Sequence, residues 1–245
     1  MTKNNIIGFN RTLHRAWLDA TAALCAEIQD AAALRARLEP IVAQDLEGID
    51  ARRKTIDLLL NLWLHTRERF PELWEFAVSW NQTTLEPADR VWLHYGLALA
   101  QYDFFRRCGV ALGQFGRYEG AFTTKQVRQR LTAELGELGS LPRAVSRVMA
   151  SLRDWGMLKP AEDARHAYVL EAQAFAASDP ALELWLLAAA LRAHPAEELP
   201  FADLLRLPEL FPFRFAVTLG HVQAHPWFGV QRQGAGWTMV RLLER

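Results

Sequence analysis

The stretch from Ala121 to Leu170, AFTTKQVRQRLTAELGELGSLPRAVSRVMASLRDWGMLKPAEDARHAYVL, constrains the chain more than any other. It spells two short helices, a tight turn, and two strands around a polar tip. The first helix opens at Thr123 or Thr124, whose hydroxyl can cap free backbone N–H groups. Val127, Leu131 and Leu135 then recur four apart, on one face. Gly136 and Gly139 bracket the turn, where positive φ is open to a residue without Cβ. The second helix has Ser140 or Leu141 at its cap and Pro142 in the first turn, where the missing N–H costs nothing. Val145, Val148, Met149, Leu152 and Trp155 make the stripe of a packed face. Gly156 ends that helix. A strand starts at Met157 to Lys159, Pro160 to Arg165 form the tip, and His166 to Leu170 return.

The other side of the second helix carries Arg143, Ser146, Arg147, Ala150 and Asp154, with Arg153 at its margin. Guanidinium groups reach phosphates and guanine edges, and small residues permit close approach. The second helix of such a pair is the one that enters a major groove. The plainer reading is a surface helix with solvated arginines. The stretch holds eight Lys/Arg against five Asp/Glu, a net charge of +3. Lys125 and Arg128 on the first helix, and Arg165 with His166 at the strand tip, extend the candidate contact set. Arg232, between Gln231 and Gln233, stands at the tip of a second hairpin. Such tips can reach a minor groove or phosphates, though solvated hairpins also carry arginine.

The rest of the chain limits this reading. Its 245 residues allow one large or two to three small domains. An apolar fraction of 51% with 23% charged residues describes a folded chain, not a disordered one. The 28 basic and 28 acidic residues cancel, so any polyanion-binding surface must be local. Cys25 and Cys108 are too few for a disulfide framework and lack metal-ligand companions, which makes them buried small hydrophobes. The start of the chain is polar and shows no signal pattern. The longest apolar run, Leu184 to Leu191, is far below the roughly 20 residues of a membrane helix. No membrane association and a cytoplasmic location are expected.

Residues 1–119 read as an all-α domain. Helices are predicted from Ile6 to Gln29, Ala31 to Leu46 with Pro40 kinking or splitting it, Ile49 to Thr66, and Pro71 to Trp80. Asn81 to Glu86 reads as a polar turn, and a further helix runs from Pro87 through Leu112. Trp17, Trp63, Trp74, Trp80 and Trp92 fall within amphipathic patterns and are assigned to the core. Arg52, Arg53 and Lys54 start a helix, where basic residues gain nothing from the dipole. With Arg67 and Arg69 they form a solvated face or a weak lure for an anionic partner. Gly113, Gly116 and Gly120 lack the setting of a phosphate loop and read as a hinge into a second unit, 120–172.

Ala172 to Asp179 reads as a linker. A third unit, 173–245, follows with a buried helix from Pro180 to Ala193, a short one from Leu199 to Leu207, and another from Phe213 to Ala224. Two strands, Trp227 to Gln231 and Trp237 to Leu242, flank the glycine-rich Arg232 to Gly236. Helices followed by a hairpin repeat the order of the second unit without repeating its sequence. Nothing here favours catalysis. His221 and His225, four apart, could share a metal, but no third ligand completes the site. There is no nucleophile elbow, no Cys–His pairing and no dinucleotide fingerprint. No enzymatic activity, metal or cofactor is expected.

Thr123 to Leu158, with its glycine turn and the ending Ser-Leu-Arg-Asp-Trp-Gly-Met-Leu, resembles the winged-helix superfamily. The resemblance implies a mainly α fold: a helical N-terminal domain, a winged helix over 120–172, and a second, degenerate winged helix over 173–245. The layout, with Phe122-Thr123-Thr124 and the later Asp154-Trp155-Gly156-Met157-Leu158, also resembles small accessory subunits of bacterial anti-phage defence loci, such as the BREX A-type subunit. That likeness implies a non-enzymatic subunit or adaptor contacting duplex DNA beside a larger nuclease, helicase or methyltransferase. Its site residues would be Lys125, Arg128, Arg143, Ser146, Arg147, Arg165, His166 and Arg232. The rival expectation is a protein-interaction module. Tandem winged helices resemble the small partners of chromosome-organising ATPases, which dimerise and clamp another subunit, and the neutral net charge favours that.

Overall fold

The computed structural model describes residues 7–83, 86–233 and 236–243, and the chain is mainly helical. The first elements are α1 (Arg15–Glu27), α2 (Ala31–Val42), α3 (Ile49–Trp63), α4 (Thr66–Arg69), α5 (Pro71–Thr83) and α6 (Arg90–Gln101). Pro40 does not split α2; it lies so near the end that little helix remains beyond it. Trp17, Trp63, Trp74 and Trp92 are buried, and Trp80 is partly so. His94 sits among them. It accepts from Trp63 Nε1 at 3.2 Å through Nδ1 and faces Asp19 Oδ1 at 2.9 Å through Nε2. Burial, with Arg15 and Arg90 nearby, lowers the His94 pKa despite Asp19, so the imidazole is neutral and donates through Nε2.

The next elements are α7 (Asp103–Tyr118), β1 (Phe122–Thr123), α8 (Thr124–Leu135), α9 (Leu141–Asp154), β2 (Leu158–Pro160) and β3 (Ala167–Leu170). Thr123 Oγ1 accepts from Gln126 N–H, and the Gln126 side chain accepts from Thr123 N–H at 2.8 Å, a reciprocal cap that starts α8. Gly136, at φ +80°, ends it. Val145, Val148, Met149, Leu152 and Trp155 are all buried, as their spacing predicts. The three strands are antiparallel in the order β1-β3-β2, with Leu158 opposite Leu170 and Phe122 opposite Tyr168.

After β4 (Phe175–Ala176) come α10 (Pro180–Ala193), β5 (Glu198–Pro200), α11 (Phe201–Leu204), a 3-10 turn at Pro208–Leu210, β6 (Phe213–Arg214), α12 (Leu219–Ala224), β7 (Phe228–Gln233) and β8 (Trp237–Leu242). The second antiparallel sheet runs β5-β8-β7. Its plan repeats that of the first: a short strand, two helices and a hairpin whose last strand takes the middle place. A small parallel pair, β4 with β6, ties the segment after β3 to the loop before α12.

One hydrophobic cluster runs from Ile7 to Val240, across both expected boundaries, 119/120 and 172/173. α6 is buried from Val91 to Ala100 and α10 from Leu182 to Leu191, as suits helices that are apolar all round, and the two lie against each other. Gly96 allows this, because a Cβ there would meet the Trp185 ring. Gly113 and Gly116 belong to the same class. They lie inside α7 rather than in a hinge, and a Cβ would collide with the Pro208 carbonyl or the Leu170 side chain.

Other departures from the expected helices have tertiary causes. α1 begins at Arg15, not Ile6, because the preceding residues run non-helically against α9. The helix expected from Pro87 to Leu112 breaks at Tyr102, whose φ of −127° and ψ of 101° leave the helical region. The Asp103 carboxylate then binds Arg106 and Arg107 in the first turns of α7. Phe213 to Val217 is not helical: Phe213 pairs with Phe175, and Glu183 takes the N–H groups of Ala216 and Val217. The short helix expected from Leu199 opens as β5 and becomes helical only at Phe201. The tip residues Gly234 and Ala235, and Thr84 and Leu85 of the predicted polar turn, lie outside the described residues. Among the described residues no helix is long and apolar enough to cross a membrane.

Candidate functional site

The outward face of α9 is the centre of the candidate site. Its buried stripe fixes the rotation of the helix, so Arg143, Ser146, Arg147 and Arg153 point away from the core and are exposed. Trp155 locks that rotation: it is 1% exposed and donates from Nε1 to the Leu13 carbonyl at 2.8 Å. Ser146 stays on that face, its hydroxyl donating to the Pro142 carbonyl one turn back at 3.1 Å. Arg143 has no partner among the described residues. Arg147 reaches only the Thr12 hydroxyl, at 3.5 Å.

The segment that crosses α9 is the residue set that sequence reasoning missed. Leu13 N–H donates to Ser151 Oγ at 2.8 Å, Arg15 N–H donates to Asp154 Oδ2 at 2.6 Å, and His14 Nδ1 lies 2.7 Å from Asp154 Oδ1. These contacts join residues nearly 140 positions apart, and no local spacing announces them. The crossing segment brings no carboxylate to Arg143 or Arg147. The acid in this contact, Asp154, belongs to α9 itself.

Lys125 and Arg128 are exposed on α8, one turn apart, and neither has an ion-pair partner among the described residues. Arg165 and His166 are exposed at the tip between β2 and β3. They share a cleft of 450 Å³ with Arg153, and also with Glu162 and Asp163, which offset part of the positive charge. His166 stands at φ +62°, a left-handed conformation uncommon for histidine, where the chain turns into β3. Lys159 is paired with Glu171 at 2.7 Å, and that bond raises its pKa. Arg232 is exposed on β7, in the other sheet, opposite Thr238. No bond or cavity among the described residues joins it to α9.

The basic residues of the helical region behave differently. Arg52 holds Glu39 at 2.6 Å and two carbonyls, and Arg53 holds Asp50. Arg67 donates to Gln29 and lies over Trp74, and Arg69 lies over Phe70. Their charge is largely engaged at home. His221 is also occupied locally, capping α12 by accepting from Thr218 N–H at 3.1 Å. Among the described residues no group of His, Cys, Asp and Glu could hold a metal ion. Both cysteines are buried, and burial pushes the Cys25 thiol up to about 12. No family model, curated protein or solved structure matches this chain.

Proposed function

We propose that this protein is a non-enzymatic duplex-DNA-binding subunit or adaptor that contacts DNA through α9 and the β2–β3 tip. One observation carries the reading. α9 presents Arg143 and Arg147 outward with no carboxylate within ion-pair distance among the described residues, on a helix whose opposite face is buried. Unpaired guanidinium groups on a rigid helix are poised for phosphate oxygens and guanine edges. The element order supports it: α7, β1, α8, the Gly136 turn, α9 and the β2–β3 hairpin, with β1 beside β3, is the order expected of a winged helix. The parallel order of α10, β5, α11, α12, β7 and β8 supports a second, degenerate copy. A place in a multi-protein bacterial defence system, beside a larger subunit and in the cytoplasm, is part of this proposal.

A fluorescence-anisotropy titration at several salt concentrations tests it. If about five phosphates are neutralised, log affinity falls with log salt at a slope of about −4 to −5. Replacing Arg143 and Arg147 together by alanine reduces the slope by about 2. Replacing Arg52 and Arg53 has less effect; the reverse order would move the site to the helical region. A docking role without DNA is favoured by Trp237, which is 62% exposed beside the second hairpin tip. No duplex binding at low salt, together with a homodimer that Trp237→Ser disrupts, would put that reading in place of the first.

A further inference from the structure

Where the crossing segment meets α9 there is a pocket of 190 Å³ lined by Arg11, Thr12, His14, Thr55 and Arg147, with Trp17, Leu46 and Ala51 as its apolar wall. We infer that this pocket receives a phosphate of the DNA backbone, held between the Arg11 and Arg147 guanidinium groups; the inference rests on the duplex-binding reading above.

Three observations carry it. First, the cations are uncompensated. Arg11 has no hydrogen bond or ion pair among the described residues, and its Nε is buried without a partner. Arg147 has only the long contact to Thr12 Oγ1. A buried charged donor without an acceptor costs free energy that an anion in the pocket recovers. Second, the carboxylates bonded to the pocket's lining form no ion pair with Arg11 or Arg147 among the described residues. Asp154 is held by His14 Nδ1 and Arg15 N–H, and Asp45 accepts from Trp17 Nε1 at 2.9 Å. Third, the wall suits a phosphodiester better than a nucleotide. Its one large aromatic ring, Trp17, is 2% exposed and offers no open face for a base to stack on. Two guanidinium forks and the Thr12 hydroxyl match a tetrahedral oxyanion with several acceptor oxygens. Arg147 is exposed on α9, and Arg11, half-buried with its Nε inaccessible to solvent, lines the same pocket. A duplex laid on Arg143 and Arg147 would thereby also engage the segment before α1.

The test compares the parent with Arg11→Gln and Arg11→Lys, using a labelled duplex and, separately, inorganic phosphate. The Arg11 side chain makes no hydrogen bond or ion pair among the described residues, so both variants should fold, and melting checks that they do. The expected result is a roughly tenfold loss of duplex affinity at low salt for Arg11→Gln, with the salt slope reduced by about 1. Arg11→Lys, which keeps the charge but loses the fork, should fall between. If the parent binds duplex and Arg11→Gln binds it with unchanged affinity and slope, the pocket assignment is overturned and the duplex reading stands. If the parent binds no duplex, both fall together. If phosphate raises the melting temperature of the parent but not of Arg11→Gln, and duplex affinity is the same for both, the pocket serves free phosphate and the backbone assignment is overturned.

Discussion

The units around α9 and α12 share a plan and differ in equipment. Each has a short strand, two helices and a hairpin whose last strand lies between the other two. In the first, the second helix has 14 residues and points two unpaired arginines outward. In the second, α12 has six residues, LGHVQA, with no arginine, and its histidine is spent on a cap. The proportions of the hairpins are reversed. β2 and β3 have three and four residues, whereas β7 and β8 have six each and carry Arg232 and the exposed Trp237. The helix before each unit differs too. α10 is buried along most of its length, while α7 exposes its last residues, Arg117 and Tyr118. A shared strand order thus comes with different surroundings: the helix before the second unit, α10, fills the core against α6, and the first unit turns the Arg143 and Arg147 face of α9 to solvent.

The largest expected effects come from the tryptophans that anchor each copy. Trp155 donates to the Leu13 carbonyl, and Trp185 donates to the Leu73 carbonyl at 3.0 Å; both are fully buried. Trp155→Ala and Trp185→Ala should each cost about 3 to 5 kcal/mol. For a chain of this size that lowers Tm by roughly 10 °C. Because one core spans both copies, each variant should melt in a single transition. Two transitions in calorimetry would mean the copies unfold independently. Trp155→Ala should lose DNA binding at a temperature roughly 10 °C below the parent, as it unfolds, and Arg147→Ala should weaken binding at all temperatures while staying within about 0.5 kcal/mol of parental stability. A Trp155→Ala protein that melts like the parent would mean that α9 faces the other way.

A smaller effect separates the two turns that lead into α9 and α12. The first relies on local geometry: Gly136 takes φ +80°, and a Cβ there would meet nothing within 4 Å. With ψ at 179° this is a region almost only glycine occupies, so Gly136→Ala should cost about 2 kcal/mol, the conformational penalty alone. The second relies on a tertiary tether. Glu183, 3% exposed on α10, accepts from Ala216 N–H at 2.7 Å and Val217 N–H at 2.8 Å. Removing it strands two backbone donors, so Glu183→Ala should cost about 3 kcal/mol. Urea unfolding of the two variants measures the gap. A loss under about 0.5 kcal/mol for Glu183→Ala would mean that the second turn needs no tether.

The contact between α7 and the 3-10 turn carries a pH signature. Glu209, in the 3-10 turn against α7, is buried with Oε1 unbonded, and Arg106 Nη1 is 3.8 Å away. Burial raises its pKa, with Arg106 only partly opposing. The folded state then holds this proton more tightly than the unfolded chain does. Its contribution is therefore largest at acid pH and is lost as pH rises from the ordinary carboxylate range through the raised value. Glu209→Gln should match the parent near pH 4 and become the more stable of the two towards pH 8. A gap in Tm that does not change with pH would remove Glu209 as the titrating group.

Legibility in the sequence followed the range of the forces. Local signals were read correctly: the Thr123 cap, the buried stripe of α9, the Pro142 start, and α10 from Pro180 to Ala193. The outward positions of Arg143 and Arg147 follow from the same periodicity, and Arg165 stands at the expected strand tip, but Arg232, expected at a hairpin tip, lies within β7 because that strand runs on to Gln233. Three features did not show. The run from Phe213 reads as helix until Glu183 claims two of its N–H groups. Gly113 and Gly116 look like a hinge because the Pro208 carbonyl and Leu170 that crowd them lie far along the chain. Residues 7–14 look like the start of α1 until Ser151 and Trp155 bind Leu13. The last omission matters most for the site, since Arg11 and Thr12 have no distinguishing local pattern and gain their place only from where α9 packs.

The smallest predicted effect concerns Arg232 and decides whether both copies touch one duplex. Arg232 is exposed on a long hairpin, in a sheet that shares no strand with the one beside α9. A duplex just long enough to cover α9 and the β2–β3 tip would leave Arg232 in water, where a lone arginine contributes little. A longer duplex that also reaches the second hairpin would add one phosphate contact. Arg232→Ala should then leave binding of a short duplex, about 10 base pairs or one helical turn, unchanged. On a duplex of about 30 base pairs it should reduce the salt slope by about 1 and weaken binding only a few-fold. An equal loss on both lengths would place Arg232 within the footprint of α9, and the two copies would form a single clamp. No loss on either would leave the second copy as scaffold, with Trp237 and its hairpin free to serve a protein partner.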